Sequence, residues 1–143
     1  MLVACPHCGS MNRVARDRLG EAPNCGNCHQ SLFVGKPLAL STADFDKYAM
    51  RSELPLVVDF WASWCGPCLA MAPQFEAAAK TLEPQVRLAK VDSDANPELS
   101  ARYNIRSIPT MLLFAGGREV ARQSGAVSSS QITTWVRQNL PRA

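Results

Sequence analysis

All six cysteines of this 143-residue chain fall in pairs separated by two residues: Cys5/Cys8, Cys25/Cys28 and Cys65/Cys68. A C-x-x-C pair brings two sulfurs to one bond or one metal, so this spacing constrains the fold more than any other feature. One reading is three disulfides in an exported protein, with about 15 possible connectivities. The other is a set of reduced thiols. The start, Met1-Leu2-Val3-Ala4-Cys5-Pro6, has neither the basic region nor the long apolar run of an export signal. The expectation is a cytoplasmic protein with reduced thiols. The longest strongly apolar stretch, near residues 54–62, is interrupted by Asp59. It falls well short of the roughly 18 residues a membrane helix needs, so no membrane association is expected.

The chain divides near Lys36-Pro37, into residues 1–36 and 37–143. The first part holds four cysteines, both histidines and few large apolar side chains. A segment this size cannot bury a stable core unaided and needs a staple. The second part is long enough for an ordinary domain. A net charge of +3, from 15 basic and 12 acidic residues, is too small to argue for a nucleic-acid partner. Arg13, Arg16 and Arg18 form a small basic group without interleaved aromatics, which reads as a solvated face.

Residues 37–143 alternate strand and helix signals. Ser41-Thr42-Ala43-Asp44 resembles a capping box and opens a helix through about Arg51. Residues 54–60 read as a buried central strand, followed by a helix from about Cys65 to Leu82 with Pro73 inside it. A strand over 86–92 precedes a short helix begun by Asn96-Pro97. Residues 111–114 and 119–123 flank a Gly-Gly hairpin turn. A last helix over 128–139 carries Ile132, Trp135, Val136 and Leu140 on one stripe. The predicted fold is α/β: a mixed central sheet with helices on both faces.

Cys65-Gly66-Pro67-Cys68 stands where the buried strand hands over to a helix. The thiolate is the reactive form of cysteine, and the unpaired N–H groups and positive dipole end of a helix N-terminus stabilise it. Pro67 suits the first turn, where its missing N–H has no intrahelical role. Cys65 is expected to be the more exposed attacking thiol and Cys68, a turn deeper, the resolving one.

Trp61-Ala62-Ser63-Trp64-Cys65-Gly66-Pro67-Cys68 resembles the active-site signature of the thioredoxin family. The likeness covers about residues 38–140. Asp59 resembles the family's buried acid, Lys90 its lysine partner, Ile108-Pro109-Thr110 its cis-proline segment, Pro73 its kink proline and Gly125 its glycine turn. Ser63 departs from the family, many members of which carry Pro or Glu there. The resemblance implies a thioredoxin-like fold and a protein disulfide reductase working through a mixed disulfide.

Residue chemistry runs in the same direction. Burial of Asp59 in an apolar strand raises its pKa, which suits a group that takes a proton from Cys68. Lys90 moderates that rise by charge pairing. A cis Ile108–Pro109 bond would leave the Ile108 backbone free to pair with an extended substrate. Trp61 and Trp64 are expected to pack beside the sulfurs and exclude water. Gly125 is expected to permit close backbone approach beside the site.

Cys5, Cys8, Cys25 and Cys28 form C-x2-C-x16-C-x2-C, within the spacing of four-cysteine zinc sites. A closed tetrahedron of thiolates around one Zn2+ would supply the folding energy this core-poor segment lacks. His7 and His29 adjoin cysteines but are read as neighbours of a set already complete. The two knuckles, Asn12-Arg13, Asp17-Arg18 and Leu32-Phe33 resemble the two-domain, zinc-binding branch of the thioredoxin family, the thioredoxin 2 type. That resemblance implies an NADPH-dependent thioredoxin reductase as electron source and oxidised cytoplasmic proteins as substrates. A rival reading makes residues 1–36 a zinc-ribbon binding module for nucleic acid or protein, with the second domain as carrier. An exported disulfide oxidase or isomerase is a third; the missing export signal and the Gly-Pro dipeptide argue against it.

Overall fold

The computed structural model describes residues 1–141; residues 142 and 143, the end of the 37–143 unit, lie outside the described residues. A five-stranded mixed sheet forms the body, from β3 (Leu38–Ala39), β4 (Leu56–Trp61), β5 (Arg87–Asp92), β6 (Thr110–Ala115) and β7 (Arg118–Ser124), in the order β3-β5-β4-β6-β7. β3, β5 and β4 pair in parallel; β6 pairs antiparallel with both β4 and β7. The helices are α1 (Gly66–Leu82), α2 (Pro97–Arg102) and α3 (Ser129–Asn139).

Alternation along β4 builds two cores. Leu56, Val58 and Phe60 join Phe45, Val91, Leu99 and Phe114 on one face. Val57 points to the other face, where Met71, Phe75 and Ala78 of α1 meet Ile132 and Val136 of α3. Side chains two apart along a strand share a face, so Asp59 belongs to the α1 side with Val57. The outermost strand β7 is mostly half-buried or exposed, and the β6–β7 register shifts between Leu113 and Phe114.

Two helix starts differ from the sequence reading. Residues 41–51 form turns followed by a wide π turn over Lys47–Arg51, closed by Ser52 N–H on the Lys47 carbonyl at 2.9 Å. Only half of the expected capping box exists: Asp44 Oδ1 accepts from Ser41 N–H at 2.7 Å. The wider winding presents Tyr48 and Ser52 to the N-terminal segment, with which both form hydrogen bonds. Asn96 does not cap α2 with its side chain. Its Oδ1 instead accepts from Thr42 N–H at 2.9 Å, tying α2 to the loop after β3. At α3 the cap is complete, with Ser128 accepting from Gln131 N–H and Gln131 accepting from Ser128 N–H.

Residues 1–36 begin with a short antiparallel hairpin, β1 (Leu2–Ala4) and β2 (Met11–Arg13). Their small core, Val3, Cys5, Val14, Leu19, Cys25 and Leu32, is completed by Leu54 from the body. Ala4 packs into the body's own core.

Candidate redox centre and metal site

The strand β4 ends at Trp61, and after three intervening residues the chain turns into α1 with Cys65 as N-cap. Cys65 has extended backbone angles, and its Sγ accepts the Cys68 N–H at 3.2 Å. The sulfur of residue 65 thus sits over the free amides of a helix start, with Pro67 in the first turn. Cys65 and Cys68 form a disulfide, their Cα atoms 5.2 Å apart. Both residues are buried, 4% and 2% exposed, so Cys65 is only marginally the more open. The reason is local packing: Ala62, Trp61 and Ile108 close around the pair.

The Ile108–Pro109 peptide is cis, and the Ile108 carbonyl oxygen lies 3.8 Å from Cys65 Sγ. Gly125 N–H donates to the Pro109 carbonyl at 2.9 Å, which ties the turn before α3 to this segment. Gly125 has φ +94°, and a Cβ there would meet nothing within 4 Å. Its backbone conformation, rather than close approach within the chain, accounts for the glycine. Trp64 also departs from expectation. It is 69% exposed, and its indole N–H donates to Asp94 at 2.7 Å, so it does not seal the sulfurs from water. It walls a shallow groove of about 290 Å³ with Ile105, Arg106 and Ile108. Asp94 was not singled out from sequence; the acid-rich Asp92-Ser93-Asp94 run was its only signal.

Asp59 is fully buried, and neither carboxylate oxygen has a hydrogen-bond partner among the described residues. Burial pushes its pKa up to about 7, and the Lys90 charge pulls against that rise. Lys90 is half-buried, with its ammonium 4.4 Å from the centre of the Trp61 ring.

The N-terminal cysteines form a second centre built from two matching turns. In the first, Gly9 N–H bonds the Cys5 carbonyl and Cys5 N–H the Ser10 carbonyl. In the second, His29 N–H bonds the Cys25 carbonyl and Cys25 N–H the Gln30 carbonyl. Gly9 and His29 both take positive φ, so the two turns share one backbone shape. His29 contributes this backbone; neither histidine joins the cysteine cluster. Backbone N–H groups of His7 and Asn27 point at Cys5 Sγ and Cys25 Sγ, each at 3.3 Å.

The four sulfurs lie within 4.8 Å of one another. Cys5 and Cys28 Sγ are 3.6 Å apart, as are Cys8 and Cys25 Sγ. Zn–S bonds of about 2.3 Å in a tetrahedron require sulfurs ~3.8 Å apart, so the residues fit a closed thiolate site. None of the four cysteines is disulfide-bonded, so the three-disulfide reading does not describe this structure.

A strand-to-helix C-x-x-C disulfide facing a cis-proline segment defines a thiol–disulfide oxidoreductase. The thioredoxin family model matches residues 36–138, and a model described as thioredoxin 2, N-terminal matches residues 4–30. Thioredoxin C-3 of Corynebacterium nephridii is 46% identical over 140 residues, covering 98% of this chain and 96% of that protein. The thioredoxin of Haemophilus influenzae is 37% identical over 107 residues, 75% of this chain and all of that protein. That of Synechocystis is 40% identical over 101 residues, 71% of this chain and 94% of that protein. The chain belongs to the thioredoxin family and is a protein disulfide oxidoreductase with an N-terminal four-cysteine ribbon. Among the described residues no helix is long and apolar enough to cross a membrane.

Proposed function

We propose that the chain reduces protein disulfides with residues 65 and 68 in distinct roles. The Cys65 thiolate attacks one sulfur of a substrate disulfide; the other substrate sulfur leaves and takes a proton. Cys68 then gives its proton to the Asp59 carboxylate, through water, and attacks Cys65. The Cys65–Cys68 disulfide forms as the bond from Cys65 to the substrate sulfur breaks; that sulfur leaves and takes a proton, and the substrate departs as a dithiol carrying the two electrons. Lys90 sets the proton affinity of Asp59. Trp61 shields the sulfurs, Trp64 walls the substrate groove, Gly66 and Pro67 shape the turn, and Gly125 holds Pro109. The Ile108 backbone receives an extended substrate segment beside Cys65.

Two electrons from an NADPH-dependent thioredoxin reductase would restore the dithiol, and oxidised cytoplasmic proteins are the substrates. Residues 1–36 and 37–143 are the two structural units. Cys5, Cys8, Cys25 and Cys28 would hold one Zn2+, which when bound staples the ribbon; the site is structural or redox-responsive, since oxidation of its thiolates by peroxide would release the ion.

The observation that carries the reading is the Cys65 sulfur seated at the α1 N-terminus with the Cys68 amide pointing at it. Insulin reduction coupled to thioredoxin reductase tests it. Cys65→Ser is expected to abolish turnover, and Cys68→Ser to accumulate a mixed disulfide. Turnover retained by Cys65→Ser ends the reading.

A further inference from the structure

Arg87 opens β5 and is the largest fully buried side chain of the molecule among the described residues, 1% exposed. Burying a guanidinium is costly unless its donors are paired. Only Nη2 is hydrogen-bonded here, and both its acceptors lie in the ribbon; Nε and Nη1 have no hydrogen-bond partner among the described residues. Its Nη2 donates to the Ala4 carbonyl at 3.1 Å and to the Leu32 carbonyl at 3.0 Å. Ala4 directly precedes Cys5, and Leu32 follows the turn that carries Cys25 and Cys28. One nitrogen atom of the body therefore joins the two arms that deliver the two cysteine pairs.

The neighbours of Arg87 hold the same junction. Its guanidinium carbon lies 5.3 Å from the centre of the Phe33 ring, and Nη1 faces Glu83 at 3.9 Å. Glu83 accepts the Gly35 N–H at 2.6 Å. Tyr48 Oη donates to the Cys5 carbonyl at 2.8 Å, and Ser52 Oγ accepts the Ala4 N–H at 3.3 Å. The backbone at Ala4–Cys5 is thus gripped by side chains from β5 and from the turn before β4.

A four-sulfur site binds its ion tightly only if the sulfurs are already converged, because ordering them on binding costs conformational entropy. The ribbon's own core is small and lacks Leu54 without the body. We infer that Arg87 is a positioning residue for the four-cysteine metal site, so that the redox domain sets how firmly the ribbon keeps its metal. By linkage, metal binding tightens the ribbon's seat on the body by the same factor. The inference rests on the metal reading above but not on any assigned redox role.

Zinc release from the full-length, reduced, zinc-loaded chain to a chromogenic chelator tests it, with Arg118→Met as a surface control. Arg87→Met is expected to weaken zinc retention at least tenfold and Tyr48→Phe about threefold. Arg87→Lys, which keeps the charge but loses the reach to both carbonyls, falls between Arg87→Met and wild type. Thermal midpoints with and without zinc separate coupling from plain destabilisation: the zinc-dependent increment shrinks in Arg87→Met, whereas a merely structural role lowers both midpoints equally. Should Arg87→Met not fold, Arg87→Lys and Tyr48→Phe decide the matter. Folded Arg87 variants that retain zinc within twofold of wild type overturn the inference alone. Wild-type protein that takes up no zinc overturns the metal reading and this inference with it.

Discussion

Asp59 and Lys90 stand opposite one another in the parallel register of β4 and β5, yet the Lys90 ammonium lies over the Trp61 ring and forms no ion pair with the carboxylate. Lys90 therefore acts on Asp59 through space, and burial remains the stronger influence. The acid is left able to exchange a proton near neutral pH.

That arrangement costs stability at high pH. The folded pKa of about 7 lies above the ordinary 3.8. The contribution of the protonated acid is fully present below about pH 4 and is lost as pH rises through about 7. At about 1.36 kcal/mol per pH decade, the difference amounts to ~4 kcal/mol. Asp59→Asn is expected to remove this pH dependence and to be more stable than wild type at pH 8. Urea unfolding of the oxidised protein at pH 4 and pH 8 measures it. A gap of equal size at both pH values contradicts the assignment.

The same variant is expected to slow resolution of the mixed disulfide about 100-fold near neutral pH, the size of effect usual for a positioned proton acceptor. The defect narrows at alkaline pH, where the Cys68 thiol ionises unaided. Stopped-flow thiol release from a mixed disulfide formed on Cys65 reads this step; a pH-independent defect points to misfolding instead.

Lys90 lowers the Asp59 pKa, so Lys90→Met raises it. The acid limb of the pH profile for disulfide reduction moves to higher pH, with little change on the alkaline side. A profile that stays in place shows the two residues to be uncoupled.

Trp64 is mostly solvent-exposed, and its removal strips one wall of a groove without opening the core. Trp64→Ala should leave unfolding free energy within about 0.5 kcal/mol of wild type while raising KM for a protein substrate several-fold. Equal KM values would detach the groove from substrate recognition.

The cap of α3 offers a purely structural check. Ser128→Ala deletes the oxygen that receives Gln131 N–H and is expected to cost about 1 kcal/mol in urea unfolding, without altering reductase turnover. A neutral result means that packing of Ile132 and Val136 alone holds the helix.

Much of the body was legible because its signals are local. The apolar run before Cys65, the proline just inside α1 and the Ser128/Gln131 pair each specify a boundary through nearest neighbours. Asp59 could be read as a polar break in an otherwise apolar strand. Arg87 is a similar break in β5, but its partners Ala4 and Leu32 are more than 50 residues away in sequence, and no local pattern names them. The three-residue strands β1 and β2 are too short to show a period. The wide turn over Lys47–Arg51 exists to meet the ribbon, and a helical reading of residues 41–51 lacks that context. Nothing local separates Trp64 from Trp61 as a cover for the sulfurs; Asp94, which holds the Trp64 indole, lies 30 residues on.

The two borders of the central sheet are unlike each other and equally closed to extension. On one side β3 is two residues long and follows Pro37. On the other, β7 carries Arg118, Glu119 and Arg122, and the shift between Leu113 and Phe114 breaks the regularity of its pairing with β6. A short, proline-flanked margin and a charged, irregular one give a second molecule no template for adding strands. Neither margin therefore offers a regular run of free backbone along which copies of this chain could stack.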